Sequence, residues 1–99
     1  MEINFLNSQD FVRKLIEYLE NMMNDAENFL KFLLDESQIM FLDDVCQMLR
    51  VSVRSMSNYR KKGLINGIQL NGNVIFIKPL LMLDLLKQYY VQNYGPYKG

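Results

Sequence analysis

FLDDVCQMLRVSVRSMSNYRKKGLI, Phe41 to Ile65, is the stretch whose reading decides the fold. Leu42, Val45, Cys46 and Leu49 fall at i, i+3, i+4 and i+7, the spacing that lines one face of a helix. Asp43 and Asp44 put negative charge into its first turn, where the helix dipole favours it. Arg50 and Val51 interrupt the pattern. Ser52 is then a good N-cap for a second helix, Val53 to Lys62, with Gly63 as the glycine that closes it. Two short helices joined by a three-residue turn make a helix-turn-helix.

At 100° per residue the second helix sorts its side chains. Val53, Met56 and Arg60 point one way with Tyr59 on the flank, while Arg54, Ser55, Asn58, Lys61 and Lys62 point the other. The outer face carries cations and small polar groups and no acid. Arg and Asn can make paired hydrogen bonds to guanine and adenine edges, and Lys meets phosphates. Arg54, Ser55 and Asn58 are therefore the expected base readers, with Ser52, Lys61 and Lys62 on the DNA backbone. An ordinary solvated helix face is the competing reading. Arg60, pointing inward, is expected to form a structural ion pair with Asp43 or Asp44, and a phosphate contact is its second option.

These residues resemble a family. Leu42-Asp43-Asp44-Val45-Cys46, then Leu49-Arg50-Val51-Ser52, then Tyr59-Arg60-Lys61-Lys62-Gly63-Leu64-Ile65 look like the MerR/excisionase type of winged helix-turn-helix. The resemblance continues through Ile68 to Phe76, in the place of that family's β-hairpin wing, and on to a closing helix from about Pro79. Cys46 stands where the family usually has Ala, and Met56 where it usually has Leu. Lys78-Pro79 opens the closing helix where the family commonly has an Asp or Ser cap. The resemblance implies double-stranded DNA as partner and a role as a small transcription regulator or an excisionase-like factor of a mobile element.

Ninety-nine residues, half of them apolar, suit one folded domain with an appended element. The zero net charge conceals a split. Residues 1–44 hold ten acids against three bases, net −7; residues 45–99 hold eight bases against Asp84, net +7. The basic half can face a polyanion, and the acidic half belongs away from it. One cysteine and no histidine exclude a disulfide framework and a Cys/His zinc site. Cys46 reads as a small buried packing residue. No secretory signal stands at residues 1–10 and no apolar run is long enough to span a membrane, so the expected address is cytoplasmic. With no histidine base, no Gly-rich phosphate loop and no converging carboxylates, the chain reads as not an enzyme, without metal or cofactor.

Before the helix-turn-helix, Ser8 caps a long helix over residues 9–34. Val12, Leu15, Leu19, Met22, Ala26, Phe29 and Leu33 follow a heptad a/d register, and Ile16, Met23 and Leu30 widen the stripe. Such a stripe is either core or a dimerisation seam, and the reading favours a coiled-coil-like homodimer, with residues 35–38 as linker to a winged domain over 39–90. Beyond Gly63, Ile68-Gln69-Leu70, Asn71-Gly72-Asn73 and Val74 to Ile77 form a hairpin signal with an Asn-Gly turn. In a wing, Asn71, Asn73 and Lys78 reach the DNA backbone; simple turn formation is the alternative for the asparagines. Pro79 to Tyr90 is apolar around most of a helix and should be buried, and residues 91–99 should be an irregular tail. The expected fold is mainly α with a small β-hairpin. The alternative to DNA binding is a protein-interaction module that uses the stripe and keeps the helix-turn-helix as scaffold.

Overall fold

Two buried clusters lie on either side of one C-terminal helix. The computed structural model describes residues 8–97. Helix α1 spans Gln9–Asn24 and α2 spans Ala26–Leu34. A 3₁₀ turn (Glu36–Gln38) leads into strand β1, Ile39–Phe41, and helix α3, Leu42–Leu49. Helix α4 is Val53–Lys61; β2, Ile68–Leu70, and β3, Asn73–Ile77, form a hairpin; α5 is Lys78–Tyr94. The chain is mainly helical with a small three-stranded antiparallel sheet, ordered β1-β3-β2.

The first cluster joins Val45 and Cys46 of α3, Met56 of α4, Ile65, Phe76 of β3 and Leu81 of α5. The second joins Val12, Ile16 and Leu19 of α1 to Leu83 and Tyr90 of α5. A helix apolar around most of its circumference is one that packs on more than one side, and α5 does so. Each large aliphatic side chain so buried is worth ~1.5–3 kcal/mol.

Three expectations are corrected here. The helix over residues 9–34 is two helices. Asp25 has extended backbone (φ −79°, ψ 116°), and its carboxylate accepts from the Glu27 and Asn28 amides at 2.9 and 3.2 Å. An Asp that caps the next helix ends the one before it. Residues 39–41, the start of the expected winged domain and outside its expected hairpin, are a strand: Ile39, Met40 and Phe41 pair with Ile77, Phe76 and Ile75. The irregular tail starts later than position 91, because α5 runs to Tyr94 and Gly95 (φ 91°) ends it. Tyr97 still packs on Tyr90, ring centroids 5.2 Å apart, and donates to Glu20 Oε1 at 3.2 Å. Residues 1–7, where no signal was expected, and 98–99 lie outside the described residues. Among the described residues no helix is long and apolar enough to cross a membrane, and no group of His, Cys, Asp and Glu could hold a metal ion.

Of the stripe read as a dimerisation seam, the α1 half lies in the core of its own chain. Val12 and Leu19 are buried on α5 of the same chain, with Leu15 and Met22 packed beside them. Lys87 Nζ meets Glu20 Oε2 at 3.3 Å across the same contact. Side chains enclosed by their own chain offer no surface to a second copy. Phe29 and Leu33 of α2 are only half-buried, and Ala26 is exposed.

Candidate nucleic-acid interface

Helix α4 is set by its two ends. Ser52 Oγ accepts from the Ser55 amide at 3.0 Å, the N-cap bond expected there. At the other end the Gly63 amide bonds to Arg60 O (3.1 Å) and the Leu64 amide to Tyr59 O (2.9 Å), with Gly63 at φ 73°. That pair of bonds is a Schellman closure. Helix α3 ends the same way, through Arg50 to Gln47 O and Val51 to Cys46 O, with Arg50 itself in the left-handed region (φ 56°, ψ 44°). The turn between the helices is thus Arg50–Ser52.

Met56 is fully buried and fixes which face of α4 looks inward. Arg54, Asn58, Lys61 and Lys62 are all exposed. Arg54, Asn58 and Lys61 step by four and three, so they share one line along the helix. No acid lies on α4. Ser55 is half-buried, and its hydroxyl oxygen accepts from Ser52 Oγ at 3.0 Å. Both serines are therefore engaged in the cap. Val53, expected inside, is 48% exposed, because the first residue of α4 projects beyond the core.

The hairpin forms as its Asn-Gly signal indicates. Asn71 and Gly72 take positive φ (49° and 82°), the primed two-residue turn, and Leu70 pairs with Asn73. Asn71 and Asn73 are exposed. A shallow cleft beside the turn is lined by Asp43 and Leu42 together with Asn73 and Val74, so the neighbour of the tip is a carboxylate rather than a cation. Lys78, also exposed, stands at the opposite end of β3 from that turn, about 17 Å along a strand. Lys78 is not brought together with the two asparagines.

Arg60 corrects another expectation. Asp43 and Asp44 are exposed, and neither pairs with it among the described residues. Its Nε is buried without a hydrogen-bond partner. The side chain runs beside Gly67, where an added Cβ would come within 2.8 Å of Val74 Cγ1, 3.1 Å of Phe76 Cε1 and 3.3 Å of Arg60 Nε. Gly67 is therefore the joint at which α4, the loop and β3 meet. Arg60, Ser57 and Lys61 line a second shallow cleft on this side of α4.

The residue that holds this joint is Asp84, which sequence reasoning passed over. It is buried in α5 and takes the Asn66 amide at 2.9 Å and the Asn66 side-chain amide at 3.3 and 3.4 Å. Burial pushes its carboxyl above the ordinary value, opposed by the Asn66 hydrogen bonds and the charge of Lys87. Its one sequence signal was its isolation as the sole acid of the basic half. No protein-family model, curated protein or solved structure matches the chain.

Proposed function

We propose that the chain is a winged helix-turn-helix protein that binds double-stranded DNA in a sequence-dependent way. In this reading α3 and α4 are the helix pair, α4 enters the major groove, and the β2–β3 hairpin is the wing. One observation carries it: Arg54, Asn58, Lys61 and Lys62 stand exposed on the side of α4 away from buried Met56, with no acid on the helix. Arg54 and Asn58 read base edges, and Lys61 and Lys62 hold phosphates. Ser52 and Ser55 act chiefly through the cap that aims the helix. The role is that of a regulator or excisionase-like factor, with no catalytic step. Charge steering supports it, since the basic half meets the polyanion while the acidic α1–α2 half is held away.

Enrichment from a random duplex library at near-physiological salt tests the reading. A recovered motif is expected. Arg54→Ala should relax one base position by roughly 1–3 kcal/mol, whereas Lys61→Ala should weaken all duplexes and reduce the salt slope by about 1. No retention of any duplex even at low salt would remove the proposal.

A further inference from the structure

Helix α2 carries five large apolar side chains in nine residues, and none of them is buried. Phe29, Phe32 and Leu33 are half-covered by their own chain; Leu30 and Leu34 stand 53% and 75% exposed. These two leucines are one turn apart and form a convex ridge. Around the ridge lie Asp25, Glu27, Asp35 and Glu36 against the single cation Lys31.

A complementary groove lies elsewhere on the same chain. Met40 of β1, Met48 of α3 and Lys78, Leu81, Met82 and Leu85 of α5 line a cleft of about 380 Å³. Its walls are almost wholly apolar and its one charged residue is a lysine. Met48 and Met82 are each more than half exposed. Methionines suit such a site because they adapt to the side chain that enters. Ridge and groove are close along the chain: residues 35–39 separate Leu34 from Met40. Asp35 is held below the ordinary carboxylate value mainly by hydrogen bonds from Ser37, and also by the charge of Lys78 on the groove wall.

We infer that the occupant of the groove is the α2 ridge of a second copy of this chain, inserted reciprocally so that two copies close into a dimer. The acidic surround of α2 is opposite in sign to the lysine of the groove. A convex patch and a concave patch on the same chain suit a two-fold axis, since each copy then donates its ridge and receives its partner's. The same charge pattern disfavours ridge against ridge, which would oppose four carboxylates to four. This contact replaces the α1 seam, and it stands whether or not the chain binds DNA.

Sedimentation of the full chain over a range of concentrations tests it. The wild type should reach twice its 11.7 kDa mass and stop there. Leu34→Glu on the ridge and Met82→Glu in the groove should each raise the dimer dissociation constant by about tenfold or more, because each carries a charge into an otherwise apolar contact. Both positions are exposed, so thermal melts should show the fold retained. An equimolar mixture of the two variants should associate more than either alone, because one intact ridge then meets one intact groove. A monomeric wild type overturns the inference, and so does a mass that climbs past two copies. A Met82→Glu variant that stays dimeric while Leu34→Glu dissociates overturns it too, by pointing to ridge-on-ridge packing.

Discussion

Arg50 closes α3 in the conformation that Gly63 adopts to close α4. Both sit at the left-handed position of a Schellman closure, at φ 56° and 73°. For a residue with a Cβ that conformation costs about 1–2 kcal/mol, part of which glycine gives back through its larger unfolded-state freedom. Arg50→Gly should therefore stabilise the fold by about 0.5–1 kcal/mol and raise the melting temperature by a few degrees; an unchanged or lower melting point would contradict this account. Asp84 offers a second test at the same scale. Its carboxyl is raised by burial, so the folded chain binds that proton more tightly than the unfolded chain, whose value is the ordinary 3.8. Stability from this group is therefore gained on acidification and lost as pH rises from 3.8 through the folded value. Asp84→Asn removes the titration while keeping an acceptor for the Asn66 amide. The difference in unfolding free energy, wild type minus variant, should fall as pH rises through that window and then level off. A difference that is flat with pH would show that Asp84 titrates alike in both states.

At the scale of elements, what could be read from sequence divides by range. The caps at Ser8 and Ser52, the Asn71-Gly72 turn and the closure at Gly63 are local signals, each set by residues within one turn of the chain, and each is present. The charged face of α4 follows from its period once Met56 is taken as the inward residue. What escaped reading depends on a distant partner. Strand β1 has only three residues and exists because Met40 finds Phe76, and the Asp84–Asn66 bonds span 18 residues. The Arg60 ion pair was expected from its inward position on α4, whereas the side chain lies toward Gly67 and Phe76. The break at Asp25 was local and legible, but an unbroken heptad register concealed it. Asp25→Ala tests that cap. It removes two amide contacts from the start of α2 and should cost ~1 kcal/mol. Because α2 buries no side chain, the loss should appear as faster amide exchange in α2 with little change in α5. Equal loss of protection in both helices would mean that α2 is coupled to the core after all.

At the scale of the molecule, α5 decides whether the chain is one cooperative unit or an interface domain with a detachable helix. It gives Leu81 to the cluster under α4 and Leu83 and Tyr90 to the cluster under α1. Its Asp84, on the same stretch, fixes the loop that follows α4. Loosening α1 therefore exposes one side of the helix against which the other half is assembled. Ile16 is fully buried in the α1 cluster, far in sequence from α4. Ile16→Ala should cost about 2–5 kcal/mol through lost burial and the cavity left behind. If the two clusters unfold together, amide protection in α4 and the β2–β3 hairpin should fall by the same free energy as protection in α1. A chain truncated to residues 39–97 would then leave Leu83 and Tyr90 uncovered, and should be molten or insoluble. Protection at α4 that stays unchanged while α1 loosens, together with a folded truncated chain, would instead assign α1 to a separable attachment. The helix carrying the candidate DNA-reading residues would then owe its position to residues 39–97 alone.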